Sequence, residues 1–482
     1  MAGGPWDIGT SDVAQAAASK PFDVIIVGGG SAGLTTAIPL VAAGLKTALL
    51  EAGPAPFLQH ISNTDLRFAP DLGRALRNVT LYMPGLASGG TFGNNYGCLG
   101  GRGLFWNGAA PRYSDDDLSG WPLGAADLAD DYAWAEREFR VGTSMGRTPL
   151  AQRIIAKLNS AGLAAEPGPF AADIDDLYVG RLGAGIASGL GPFFRHCGNA
   201  VADGGLTVAV NTRAARLLVA GDKVTGVAAV SGDSAAEVEI PARAVVLAGG
   251  GIESIKLAAV SGVPDPHQRI GKGMQEHLFY HALLNAEALY DREKRDSGIV
   301  FVRAASQDLH QWELHVPGNR LFAIDDGVPW QPDASPPYQV MIRSFAATEK
   351  RDDNRVEAAP GPLGSSTVHF THSPKDEDTK RAMAADAETL CNALGASPAV
   401  GPAIGSIERF RPPGSSYHEA GGLDMGDDPA NSVTDADGRF HSVGNLYCND
   451  AAAFPRIGAT NPHLTIVAVA HRKASALARE LS

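Results

Sequence analysis

Gly28, Gly30 and Gly33 stand in the pattern G-x-G-x-x-G, and Glu51 follows them along the chain. The first glycine permits a tight turn. The second lets the backbone approach a pyrophosphate, and the third lets a helix pack closely on a sheet. This chemistry needs a strand before the glycines and a helix after them. Residues 22–27, FDVIIV, form an apolar run that reads as a buried parallel strand. The helix is expected from Ser31 to about residue 43, ending near Gly44. Its free N-terminal N–H groups suit phosphates. Residues 47–50 read as the second strand, closed by Glu51. That carboxylate accepts both hydroxyls of an adenosine ribose and repels a 2′-phosphate. A glycine turn without a ligand would not require the acidic residue in this register.

The chain has 482 residues, enough for two domains or one large composite. Its 57 glycines imply many tight turns, and its formal net charge of −13 disfavours nucleic acid and anionic membranes as partners. Cys98, Cys197, Cys391 and Cys448 are widely spaced and form no metal or redox motif. Residues 1–20 read as a short polar or Ala-rich arm, with no apolar segment of signal length before Phe22. No uninterrupted apolar 18-mer is present for a membrane span. A cytoplasmic protein is expected, with no metal and an open oligomeric state.

Residues 54–90 read as an extended excursion with a short helix near 68–77. Residues 93–113 are glycine-rich yet hold Phe105, Trp106 and Tyr113 together, which predicts burial against something flat. Helices are expected over 127–139 and 148–161, then irregular chain over 163–200 with His196 and Cys197 in a loop near its end. Strands are expected over 206–210 and 215–220, and a small meander over 224–230 and 237–241. Residues 244–247 and the glycines at 249–251 form a second strand–glycine–helix crossing. It is read as part of the first sheet; the rival is a second nucleotide site, which no terminal acidic residue supports. From 276 to 430 the texture changes to strands over 279–284, 311–316, 338–345 and 366–371 and a helix over 376–394. The last fifty or so residues return to the first texture, with a strand over 446–448, a turn over 455–461 and a helix over 464–479. The expected fold class is therefore α/β plus α+β. An arm (1–20) precedes a Rossmann-like nucleotide domain (21–275 and 431–482), which carries an inserted substrate domain (276–430) on a mostly antiparallel sheet.

Four separated segments resemble one family, the glucose–methanol–choline (GMC) oxidoreductases, an FAD-dependent group acting mostly on alcohols and sugars. They are residues 22–53; GCLGGRGLFWNG at 97–108; AVVLAGGGIESIKLAAVSGV at 244–263 with IGKGMQEHL at 270–278; and SSYHEAGGLDMG at 415–426 with the stretch from Ser432 to Arg472. The resemblance implies FAD held by Gly28, Gly30, Ser31, Gly33, Glu51, Gly101, Trp106, Asn107, Gly108, Ala214, Gly249, Asp450, Ala451 and Pro462. Some members attach FAD through a histidine in the second segment. Phe105 stands in that place here, so non-covalent FAD is implied. Two other departures are Glu276-His277 for the usual Asp-His, and Gly422 for a usual Thr, which would remove a hydroxyl near the flavin edge.

Removing a hydride from an alcohol carbon requires a base for the hydroxyl proton, and a neutral imidazole suits that task. A second polar side chain must hold the same oxygen so that the carbon points at flavin N5. His418 and Asn461 match the family's catalytic pair, with His418 as base and Asn461 on the oxygen. His463 is the rival for the second role. Trp106, Phe410, Tyr417 and His463 are the candidate substrate residues. Glu419 either tunes His418 or holds a domain junction, and His277 either lines the cavity or makes a domain-boundary hydrogen bond. His441 and His471 read as structural or solvent-facing. The implied reaction is oxidation of a small-molecule alcohol, first of a sugar or polyol. The alternatives are a glycoside, aryl alcohol or hydroxylated secondary metabolite as substrate, a lyase acting on a cyanohydrin-like compound, and a flavoprotein scaffold or binding partner without catalysis. Oxygen or another electron acceptor completes the cycle.

Overall fold

Strand β1 (Phe22–Val27) is buried on both faces: Ile25 enters one apolar layer, Val24 and Ile26 the other. A strand with two covered faces belongs at the centre of a parallel sheet. In the computed structural model β1 pairs in parallel with β2 (Thr47–Leu50) on one side and with β7 (Val238–Leu247) on the other. The sheet extends through β2 to β4 (Leu206–Ala209) and through β7 to β14 (Val443–Cys448), all in parallel. Strands β5 (Thr212–Ala220) and β6 (Lys223–Ser231) join β7 as an antiparallel meander. Residues 10–18, 20–63, 81–82, 92, 96–172, 185–231, 236–290, 298–303, 310–315, 339–359, 366–399 and 401–482 are described.

Helices cover both faces of this sheet. On one side lie α2 (Ser31–Ala42), α5 (Leu190–Ala202) and α8 (His463–Leu481), which contribute Leu34, Phe193 and Leu477 to one core. On the other lie α1 (Thr10–Ala18) and α6 (Gly250–Val260), with Val13 and Ile255. The expected arm thus contains a docked helix, because Val13 and Ala17 share an apolar face. Strand β7 is continuous where a meander strand and a separate crossing strand were expected. Its alternating first half and apolar second half belong to one element that passes from a sheet edge into the centre.

The second sheet runs, in order, Ser397–Pro398, β8 (His277–Asn285), β11 (Gln339–Ala347), β10 (His310–His315), β9 (Ile299–Arg303) and β3 (Ala164–Pro167), all antiparallel. Alternation divides it. Leu278, Tyr280, Ala282 and Leu284 face α4 (Pro149–Ser160) and α7 (Pro374–Leu394). His277, Phe279 and His281 alternate with them and therefore point to the opposite face, in register with Ala347, Phe345 and Arg343. Thr148 caps α4 through its side chain, and Ser373 with Asp376 forms a capping box on α7.

Region 163–200 corrects the expectation of irregular chain. It supplies β3 to the second sheet and α5 to the first, so His196 and Cys197 lie on a helix. The short β3 alternates exposed and buried residues but carries a proline, and the glycines of α5 hide its apolar spacing. Strands β9 and β12 (Arg355–Ala358) were not foreseen either; β12 pairs with β13 (Ser366–His369), which lies within the expected 366–371. The expected helix near 68–77 and residues 316 and 338 of two expected strands lie outside the described residues. All four cysteines are free and buried. Among the described residues no helix is long and apolar enough to cross a membrane, and no group of three His, Cys, Asp or Glu is placed to hold a metal.

Candidate active site

The turn after β1 is built by close contact. Gly28 has φ +108°, and a Cβ there would come 2.4 Å from the Ala248 carbonyl oxygen. Gly33 packs on the turn itself, its Cβ position 1.9 Å from the Gly28 carbonyl oxygen. Gly30 faces open space. Glu51 is buried and accepts from the Gly29 N–H at 2.8 Å and the Gly53 N–H at 2.9 Å. Burial pushes its carboxyl upward, against the pull of these backbone donors.

A cavity of about 340 Å³ runs from this turn to the second sheet. It is lined by Gly28, Gly30, Ser31, Glu51, Gly101, Trp106, Asn107, Ala214, Gly249, Asp450, Ala451, Tyr417, His418, Asn461, Pro462 and His463. Three of the candidate cofactor and substrate residues are absent from its wall, and so is His277, which makes a hydrogen bond at the sheet instead. Gly33 sits behind the turn. Gly108, at φ +85°, backs onto the Phe170 ring. Phe410 packs edge-on against Tyr280, on the helix-covered side of the second sheet, with Lys380 over its ring. Gly422 is also away from the wall: a Cβ there would lie 2.5 Å from Ile255, at φ +91°. Its lack of a hydroxyl therefore reflects tight packing on α6, not a change at a flavin edge.

The cavity fits a large polar cofactor. Ser31 Oγ, Asn461 Oδ1 and His463 Nε2 are buried with no partner among the described residues, and their residues line it. Buried polar atoms are costly unless paired, so they point to a polar ligand. Asp450 accepts from the Gly250 N–H at 2.8 Å, Ser254 Oγ at 2.5 Å and the Ala452 N–H at 2.9 Å, which ties α6 to the loop after β14. Glu51 with the first glycine turn would hold the adenosine diphosphate, and Phe105, on the wall, offers no nucleophile for a covalent link.

At the opposite end His418 follows Tyr417, which is held at φ +60°. His418 Nδ1 lies 2.8 Å from His277 Nδ1, and His277 Nε2 lies 2.6 Å from the Gly458 carbonyl oxygen. Burial lowers the His418 pKa well below the usual histidine value, reinforced by His277, Arg102, Arg343 and His463. Burial takes His277 down to about 3, against the upward pull of its hydrogen bond to Gly458. Trp106 stacks on His463 with ring centroids 3.9 Å apart and donates from Nε1 to the Ala187 carbonyl at 2.8 Å. Arg102 pairs with Glu419 and donates to the Tyr417 carbonyl at 2.7 Å, so the second glycine segment braces the His418 loop. Glu276 receives the Gly414 N–H, the Ser416 N–H and the Ser416 hydroxyl. Burial, then nearby Glu419, raises Glu276 to about 8. His441 bonds to Ser432, and His471 to Asp131 under Trp134, both away from the cavity wall.

Sequence reasoning missed Arg102, Arg343, Phe279 and Phe345, all on the wall. The two phenylalanines stack at 4.8 Å, and Phe345 lies 5.0 Å from the His418 ring. The signal was the alternation of 277–281, once paired with 343–347.

Models described as GMC oxidoreductase match residues 197–279 and 350–470, and one described as FAD binding domain matches 23–58. Paromamine 6'-oxidase of Streptomyces fradiae is 25% identical, over 99% of this chain and 93% of that protein. 6'''-Hydroxyparomomycin C oxidase of Streptomyces lividus is 26% identical, over 96% and 93%. Among solved structures, pyridoxine 4-oxidase from Mesorbium loti superposes with a TM-score of 0.67 at 19% identity, covering 95% of this chain and 99% of that one. The glycine cradle at one end of the cavity, the histidine pair at the other and the matched segments that carry both agree: the chain belongs to the GMC family of FAD-dependent oxidoreductases.

Proposed function

We propose that this chain oxidises a hydroxyl of a sugar or aminoglycoside-like substrate, with His418 as the general base and Asn461 holding the reacting oxygen. The observation that carries this reading is the meeting, in one cavity, of the His418 imidazole with the unpartnered Asn461 Oδ1 and the glycine cradle. Bound FAD supplies the acceptor for the hydride that leaves the alcohol carbon. His418 is neutral at physiological pH because burial depresses its pKa, so it is ready to take the hydroxyl proton. Asn461 fixes the oxygen, and His463, beside it on the wall, is the rival for that contact. Trp106 and Tyr417 flank the pocket, while Phe279, Phe345 and Arg343 present the polar and aromatic face of the second sheet.

The substrate class is supported by the two relatives named for oxidising paromamine and 6'''-hydroxyparomomycin C. Their naming as oxidases supports oxygen as the acceptor. The region 276–430 is proposed as the substrate domain, with β3 added to its sheet. Anaerobic mixing of the FAD-loaded protein with a panel of sugars, paromamine and simple alcohols tests the reaction. Bleaching of the flavin by hydroxylated sugars, followed by peroxide formation on admitting air, is the expected result. Turnover with the flavin oxidised throughout would replace redox chemistry with a lyase.

A further inference from the structure

We infer that His277 is a positioning residue: it fixes the proton of neutral His418 on Nδ1 and leaves Nε2 as the basic nitrogen. This rests on the proposed role of His418 and assigns the atom through which that role is exercised.

The Gly458 carbonyl oxygen only accepts, so at 2.6 Å the His277 Nε2 must carry a hydrogen. His277 is 3% exposed, and burial keeps it uncharged. A neutral imidazole has one N–H, so His277 Nδ1 is a lone pair. The contact of 2.8 Å between the two Nδ1 atoms is then a hydrogen bond only if His418 donates. The His418 proton is therefore on Nδ1, and its Nε2 is unprotonated. The rings stand at 87° with centroids 4.9 Å apart. The flanking Phe345 ring packs on both histidines.

The arrangement also accommodates the product of proton transfer. When the substrate O–H bond breaks and the proton joins His418 Nε2, the Nδ1–H already points at a lone pair. The hydrogen bond becomes charge-assisted without any rearrangement. The other charged or titratable groups facing His418 are Arg102, Arg343 and His463. Arg102 and Arg343 cannot accept a hydrogen bond from Nδ1, and the ring nitrogen 2.8 Å from it belongs to His277, not His463, so this task falls to His277.

The test begins without a substrate. The FAD-loaded protein, labelled with 15N-histidine, is examined by NMR at pH 7.5, and His418 is assigned by difference from His418→Gln. The expected spectrum shows the Nδ1–H tautomer; the Nε2–H tautomer would overturn the proposal. In His277→Leu, which removes the acceptor, His418 is expected to move toward the Nε2–H form. His277→Asn retains a side-chain oxygen near the Nδ1 position and is expected to restore the first form. An unchanged His418 tautomer in a folded, FAD-loaded His277→Leu would also overturn it. If His277→Leu does not fold, the wild-type spectrum still decides. With paromamine as the reductant, flavin reduction in His277→Leu is expected to fall at least tenfold while KM changes little, with recovery in His277→Asn. Failure of every alcohol to bleach the flavin, with the Nδ1–H tautomer present, would count against the proposed function and leave the proton assignment standing.

Discussion

Tyr417 adopts a backbone conformation that costs a non-glycine residue of order 1 kcal/mol, and it does so immediately before His418. The Arg102 contact to its carbonyl and the three donors on Glu276 hold this loop in place. His418→Ala is expected to keep FAD, because the first glycine turn and Glu51 lie at the other end of the cavity. It should slow flavin reduction by roughly 10²–10⁴-fold, the usual loss when a general base is removed. Anaerobic stopped-flow at saturating substrate checks this; near-wild-type reduction in a folded, FAD-loaded variant would remove His418 from the base role. The sign of the pH effect follows from the depressed pKa. The neutral form persists below the usual 6.5, so reduction should remain flat as pH falls through that value and decline only further down. A midpoint at or above 6.5 in the wild type would contradict this environment. The placement of His418 and Asn461 on one cavity wall was legible because a dense motif surrounds each. The Arg102–Glu419 and His277–His418 pairs were not, because their partners are far apart in the chain and meet only through the fold.

Packing between elements explains where the glycines are required. A Cβ at Gly53 would lie 1.7 Å from the Gly97 carbonyl, so the end of β2 rests directly on the second glycine segment. Gly28→Ala adds a methyl 2.4 Å from the Ala248 carbonyl at a φ that L-residues avoid. The expected outcome is protein purified with less than half its flavin, read from the visible-to-ultraviolet absorbance ratio; full occupancy would show that β1 and β7 can separate there. The central strands and α2 were readable because their apolar runs and glycines record local geometry. The second sheet was only partly readable. Its strand β3 comes from a distant stretch, and the polar face of β11 makes sense only beside β8. That face supplies a further expectation. Arg343 is 1% exposed, lines the cavity and lies in register with His281 and Glu313. Arg343→Gln should raise KM for a polyhydroxylated sugar about tenfold or more, the scale of one hydrogen bond to a charged group. It should leave reduction by benzyl alcohol nearly unchanged. Equal losses for both would place Arg343 in the support of the fold and not in substrate selection.

Across the whole molecule, buried ionisable groups of opposite type act on stability at different pH. Burial lowers His60, His277 and His463 to about 3 and lowers His418 as well. Their stabilising effect is complete above 6.5 and is lost as pH falls below it, because the unfolded chain then takes up protons that the fold refuses. Each such group gives up to about 1.4 kcal/mol per pH unit. Buried carboxyls work the other way. Glu276 is raised to about 8 and Asp424 to about 6, both first by burial, and Glu51 and Asp450 are raised too. Their contribution is full below the unfolded carboxyl value of about 4 and is lost as pH rises through the folded one. Between about 4.5 and 6.5 the two sets oppose each other. Below about 4 these buried carboxyls are protonated in both states, and of the two sets the histidines alone still differ. The melting temperature of the FAD-loaded protein should therefore change little from pH 6.5 to 5 and fall steeply below 4. His60→Gln keeps a donor for the Trp106 carbonyl, which His60 Nε2 meets at 2.9 Å, but has no basic nitrogen. Its acid limb should be shallower, and calorimetry in two buffers at pH 4 should count about one proton fewer taken up on unfolding. A steady fall beginning at 6.5 would mean the buried carboxyls are ionised in the fold, and equal proton uptake by variant and wild type would mean His60 is already charged there.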